Sequence, residues 1–140
     1  MPLKIVYDMD LMKFMDYFSS ITHARLKDCF IDDTDMLYFI VEEDDMGKAI
    51  GKNGYKAKML EKVLNRKIKI VEFNSNLIQF IKNVIFPLRV KEIALVDGSV
   101  EIEVFDSKTR GLLIGRAAKN LHSLELIIKR HFKFNEIKVL

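Results

Sequence analysis

The sequence predicts an α+β chain made of two consecutive small units, each a three-stranded sheet packed against helices. Three observations carry this reading. Apolar residues switch between helical and strand-like spacing in one fixed order, and that order runs twice. Two glycine-bearing turns between helical runs lie 64 positions apart, at Gly51 and Gly115. Hydrophobic residues make up 49% of the 140 residues, enough to bury a core in each half and too many for a disordered chain.

In the first half, Leu11, Phe14, Met15, Phe18 and Ile21 recur at helical spacing, which predicts a helix over about 9–22. Leu26–Asp32 and Met36–Val41 read as two strands, and the turn-forming Asp32-Asp33-Thr34-Asp35 joins them as a hairpin. Glu42–Asp45 ends the second strand, and Asp45 is placed to cap a short helix running through Ile50. Gly51 and Gly54 interrupt the helical run before Ala57, Leu60 and Leu64 restore an apolar helical face. Ile68–Phe73 alternates as a third strand, and Asn74-Ser75-Asn76 is the linker, so the first unit spans 1–74 and the second 75–140.

The second half repeats the order. Leu77, Ile81 and Val84 are in phase for a helix over about 77–86 that stops before Pro87. Strands over Arg89–Val96 and Val100–Phe105 flank Asp97-Gly98, a dipeptide suited to a two-residue hairpin turn. A short helix runs to Ile114, a second tight loop starts at Gly115, Leu121, Leu124 and Ile128 mark another helix, and Glu136–Val139 is the last strand. Gly47–Gly54 falls on Gly111–Ala118, with Leu60 on Leu124, Leu64 on Ile128 and Arg66 on Arg130, so the halves read as an internal duplication.

Ile50-Gly51-Lys52-Asn53-Gly54, set between two helices with a strand on either side, resembles the Ile-Gly-x-x-Gly signature of the KH family. A bare G-x-x-G is a weak signal; the aliphatic residue before it, the lysine within it and the second copy make this one specific. The order helix, strand, strand, helix, loop, helix, strand resembles the type II KH arrangement over almost the whole chain. The resemblance implies two tandem type II KH domains that bind single-stranded RNA, with each loop clamping a nucleotide backbone and the flanking helices forming an aliphatic groove.

The residue types fit that chemistry. A glycine backbone turns sharply and comes close to a ribose-phosphate chain, and the amides at the start of the following helix lie at the positive end of its dipole. Lys52 adds a charge, while Asn53 tolerates an unusual backbone angle and can donate a hydrogen bond. Lys48, Lys56, Lys58, Lys62, Arg66, Lys67 and Lys69 lie around the loop, and Lys48, Lys52 and Lys56 are the expected phosphate contacts. The groove places Ile50 and Ala57 near one wall, and Tyr55 is a candidate for base stacking.

Ile114, Gly115, Arg116, Ala117 and Lys119 form the corresponding second set, with Lys108 and Arg110 before them. There Ala118 stands where the signature has its second glycine. If that position is left-handed, alanine costs about 1 kcal/mol; if it is the first helical residue, alanine costs little. A working but weaker site is expected, in which Gly115 and Arg116 contact phosphate.

Charge separates the chain further. Residues 1–45 carry 4 Lys and Arg against 11 Asp and Glu, and residues 46–140 carry 19 against 9, so contact with a polyanion is expected after Asp45. Other chemistries find no pattern. Gly47–Asn53 is one residue short of a P-loop and lacks its hydroxyl residue; Glu42–Asp45 does not match a calcium loop; His23, His122 and His131 have no partners at metal spacing. No cofactor, metal, small-molecule substrate or catalytic activity is expected. Cys29 reads as a buried thiol within a strand, and neither a membrane span nor a signal peptide is read, so the protein is expected in the cytoplasm.

Paired type II KH units filling a short chain resemble archaeal NusA-type factors. That resemblance implies binding of the nascent transcript during elongation or termination, with RNA polymerase as a protein partner. The competing reading is an interaction module whose acidic first 45 residues dock on RNA polymerase or the ribosome while its RNA loops are vestigial.

Overall fold

The computed structural model describes residues 7–140, which divide into two compact units on either side of the Asn74/Ser75 junction. Each unit is α+β, a three-stranded mixed sheet packed with helices. The pieces of Asn74-Ser75-Asn76 act as boundary and cap: Asn76 accepts a hydrogen bond from the Gln79 amide and starts the next helix.

In the first unit α1 (Met9–Thr22) is followed by β1 (Leu26–Ile31), β2 (Leu37–Val41), α2 (Met46–Ile50), a 3₁₀ turn (Lys52–Gly54), α3 (Tyr55–Leu64) and β3 (Ile68–Glu72). The Asp8 carboxylate caps α1 through the Leu11 amide. β2 is central, antiparallel to β1 and parallel to β3, and all five of its residues are buried, as a strand covered on both faces must be. Its alternate residues Leu37, Phe39 and Val41 meet Phe18 of α1, Ala49 of α2 and Leu60 of α3. Phe18 stacks on Phe39 with ring centroids 4.5 Å apart. Cys29 lies fully buried in the same cluster.

The second unit repeats this as α4 (Leu77–Ile85), β4 (Glu92–Val96), β5 (Ser99–Glu103), α5 (Ser107–Ile114), a 3₁₀ turn (Arg116–Ala118), α6 (Lys119–Lys129) and β6 (Ile137–Val139), with β5 central. Asp97 and Gly98 both take positive φ, 49° and 82°, and close the β4–β5 hairpin in two residues. Phe80, Ile102, Leu124 and Ile128 are buried in this half.

Two local expectations are corrected. The strand anticipated from Arg89 begins at Glu92, because its partner ends at Glu103, directly opposite. Only the Lys91 amide reaches farther, to the Glu103 carbonyl at 2.7 Å, before the partner turns away to the Asp106 cap of α5. Asp45 precedes α2 but its side chain does not cap it. The buried carboxylate instead accepts from Arg25, at 2.6 Å from the backbone amide and at 3.2 Å from both Nε and Nη2. These bonds hold the Asp45 pKa below the ordinary carboxylate range, so their contribution to stability is present near neutrality and is lost in acid as pH falls through that lowered value. Their structural effect is to fasten the entry to α2 onto the start of β1.

No helix among the described residues is long and apolar enough to cross a membrane.

Candidate nucleic-acid interface

Each glycine loop is held at both ends by helices that pack on the sheet. In the first unit Ala49 and Leu60 are fully buried one on each side of the loop, so α2 and α3 enter and leave it from fixed positions. α2 also lies beside the edge strand β3. Leu113 and Leu124 anchor the second loop in the same way, with α5 beside β6.

The two loops have the same backbone. Gly51 sits at φ 76°, ψ 174° and Gly115 at φ 74°, ψ 175°. Asn53 (56°, 22°) matches Ala117 (54°, 33°), and Gly54 (73°, 17°) matches Ala118 (59°, 24°). Identical hydrogen bonds close them: Gly51 N–H to Gly47 O at 3.0 Å and Gly54 N–H to Gly51 O at 3.1 Å, against Gly115 N–H to Gly111 O at 2.8 Å and Ala118 N–H to Gly115 O at 3.3 Å. The second loop, with Ala118 where the first has Gly54, therefore has the same backbone geometry.

Of the two possibilities for Ala118, the left-handed one is found, and Ala117 beside it is left-handed too. Each such alanine carries roughly 1–2 kcal/mol of local strain that the flanking helices must overcome. Ala118→Gly is therefore expected to stabilise the protein by roughly 0.5–1 kcal/mol, allowing for the extra freedom glycine gives the unfolded chain. The mirror substitution Gly54→Ala should destabilise by about as much, since a Cβ there would meet only Ile50 Cγ2, at an ordinary 3.9 Å, and the cost is that of the backbone alone. Thermal unfolding of the two variants should move in opposite directions; movement in the same direction would contradict the left-handed assignment.

The side chains around the loops divide by environment. Lys48, Lys52 and Asn53 are exposed, while Ile50 and Ala57 are half-buried beside them. Lys56, expected at a phosphate, is turned the other way: its Nζ donates to Thr22 O at 3.3 Å, at the C-terminal end of α1 where a helix attracts a cation. Arg66 is likewise engaged, paired with Asp35 at 2.9 Å and set 5.8 Å from the centre of the Phe14 ring. Burial lowers the pKa of Lys69, whose Nζ stands 6.0 Å from the centre of the Tyr38 ring. Lys58, Lys62 and Lys67 are exposed. In the second unit Arg116, Ala117, Ala118 and Lys119 are exposed, Ile114 and Gly115 half-buried, and Lys108 and Arg110 exposed on α5.

Two of the amides anticipated as open to a phosphate are used within the loop itself. Gly54 N–H bonds to Gly51 O, and Tyr55 N–H bonds to Lys52 O; no side chain caps α3. What the loop offers outward is the lysine charge, the Asn53 amide and the positive end of the α3 dipole.

Asn120 was not anticipated. It occupies the position equivalent to Lys56, donates from Nδ2 to Leu112 O at 2.9 Å, and lies across Gly115, where a Cβ would come within 2.6 Å of Asn120 Cγ. Lys56 and Tyr55 cover Gly51 similarly. The duplication offset carried the signal, because it puts Asn120 on Lys56, but the spacing does not reveal that both side chains fold back over a glycine.

No family model matches the chain. It is similar to the probable transcription termination protein NusA of Methanocaldococcus jannaschii, with 31% identity over 134 residues that cover 94% of this chain and 72% of that protein. The proteins of the same name from Methanococcus vannielii (30% identity, 93% of this chain, 76% of the relative) and Thermoplasma acidophilum (27%, 97% and 96%) match likewise. Among solved structures, the crystal structure of APE1850 superimposes with a TM-score of 0.73 at 26% identity and covers 96% of this chain and all of that one. With such identity spread over nearly its whole length, the chain belongs to the family of archaeal probable transcription termination proteins NusA.

Proposed function

We propose that this chain is a NusA-type transcription factor that binds single-stranded RNA, and that its two units are type II KH domains spanning 1–74 and 75–140. The observation that carries the reading is the recurrence of one loop backbone, 64 positions apart, between helices anchored in the same way. Loops of unrelated purpose have no reason to share a left-handed pair that is strained where alanine occupies it, at Ala117 and Ala118.

In this reading Lys48, Lys52 and Asn53 contact the ribose-phosphate chain at Gly51–Gly54, and Ile50 and Ala57 face the bases from a groove wall. Gly115, Arg116, Ala117 and Lys119, beside Ile114, do the corresponding work in the second unit. Lys56 acts from behind, holding α1 to the loop. The transcript is the nascent RNA, RNA polymerase is the protein partner, the cytoplasm is the site of action, and no reaction is catalysed. Two linked clamps make the second binding event intramolecular, which raises overall affinity by roughly 10²–10⁴ where the strand can reach both.

Titration of the full chain with a fluorescent single-stranded oligoribonucleotide at two salt concentrations tests this. The expected result is binding that weakens on raising the salt, because each neutralised phosphate releases counterions, with a slope of about −0.7 per contact. Absence of binding, or binding indifferent to salt, would instead support the interaction-module reading, in which the acidic first 45 residues dock a protein and the loops are relics.

A further inference from the structure

We infer that Tyr55 is a base-stacking platform, so that the first unit adds an aromatic stack on a base to its backbone and groove contacts, while the second unit has no ring at the equivalent position. The inference rests on the RNA-binding reading above and adds to it a residue, a mode of contact and a difference between the two units.

Tyr55 opens α3 immediately after the loop, and it remains 50% exposed. Its ring edge lies across Gly51: Cε1 and Cδ1 are 2.8 and 3.0 Å from the point where a Cβ on that glycine would stand. The missing side chain at Gly51 thus makes room for the ring, and the contact holds it in place. Among the described residues the hydroxyl has no hydrogen-bond partner. A half-exposed tyrosine kept for a structural bond would show one. A ring already held on one side loses little freedom when a flat partner covers the other.

The surroundings suit a nucleobase whose strand is anionic. Lys52 and Asn53 precede the ring, and Met59 and Val63, 44% and 50% exposed, continue the same face of α3 one and two turns on. The exposed Lys58 and Lys62 run beside them. The second unit has no counterpart. The position equivalent to Tyr55 is Lys119, and those equivalent to Met59 and Val63 are Ser123 and Ile127, buried at 5% and 4% exposure. Lys119 supplies charge and no ring.

The test uses the full chain and a labelled oligoadenylate at two salt concentrations. Tyr55→Ala should weaken binding by roughly 5- to 100-fold at both, with an unchanged salt slope, because stacking is lost and no charge is altered. Tyr55→Phe should bind within about 2-fold of the parent, since the ring is what stacks. Tyr55→Leu, which keeps an apolar cover on Gly51, should be as weak as alanine. The sequence has no tryptophan, so Tyr55→Trp adds a single one, whose emission should be quenched when the strand binds. Thermal melting confirms that each variant is folded. Binding unaffected in the alanine variant, or restored by leucine, overturns the stacking role. If Lys52→Asp weakens binding in the same series, the RNA-binding reading survives that result; if the parent protein does not bind at all, both fall.

Discussion

Lys52→Asp combined with Asn53→Asp is expected to weaken single-stranded RNA binding by at least about 100-fold and to leave the fold intact. Two effects add. Removing the lysine forfeits a charge-assisted contact of roughly 1.5–3 kcal/mol. Each new carboxylate then faces a phosphate of the same sign, and two unit charges at 4 Å repel by between about 1 and 4 kcal/mol at the dielectric of a wet protein surface. Even the lower ends of these ranges exceed the roughly 2.7 kcal/mol of a 100-fold change.

The fold is spared because both side chains are exposed and neither takes part in the bonds that close the loop. Asn53 has φ 56°, and aspartate is one of the few residues that visits this conformation readily. The check is a titration by fluorescence anisotropy beside a thermal melt. A variant that melts like the parent and still binds within about 3-fold would remove the first loop from the interface. Arg116→Asp with Ala117→Asp makes the same change in the second unit, where aspartate relieves the left-handed alanine, so RNA affinity should fall while stability holds or rises.

How far the sequence foretold this structure depends on the range of the interaction concerned. Helix and strand order was legible because period 3.6 and period 2 are local signals, and because each half repeated the other: Leu60 and Leu124 are both buried, as their alignment required. The Asp97-Gly98 turn was legible for the same reason, its conformation being set by two residues. What escaped were side chains whose partners are distant in the chain. Asp45 looked like a helix cap, since aspartate before a helix usually is one, but Arg25, 20 residues earlier, offers three donors and wins the carboxylate. Lys56 was read as a phosphate contact from its place near the loop, yet the end of α1 takes it.

The fate of Ala118 was undecidable from composition alone. Alanine favours the right-handed helix that follows, and only the packing of α5 and α6 around buried Leu113 and Leu124 forces it left-handed. In the candidate interface the loop positions were therefore legible as positions, while which cations face outward was not.

Gly51→Ala should be the most destabilising single substitution in either loop's backbone apart from its twin Gly115→Ala, at about 2–4 kcal/mol. The backbone at φ 76°, ψ 174° belongs almost solely to glycine, and a side chain there costs roughly 1–3 kcal/mol. The Cβ would also stand 2.8 Å from both Tyr55 Cε1 and Lys56 Cγ, so both side chains must swing away. Moving Lys56 endangers its bond to Thr22 O, a further loss of roughly 0.5–1.5 kcal/mol. Gly115→Ala should behave alike, because its Cβ would come within 2.6 Å of Asn120 Cγ and displace the bond from Asn120 to Leu112 O. Gly54→Ala, whose Cβ meets only Ile50 Cγ2 at an ordinary contact distance, should cost only about 1 kcal/mol. The ranking is the discriminating measurement: in denaturant unfolding, the first glycine of each loop must exceed Gly54 by a clear margin. Equal, small effects at Gly51 and Gly54 would mean that the covering side chains yield freely. Because the loop that would meet RNA is made stiff by those same covers, an alanine at Gly51 should weaken RNA binding in proportion to the loop it loosens, even though it removes no charge.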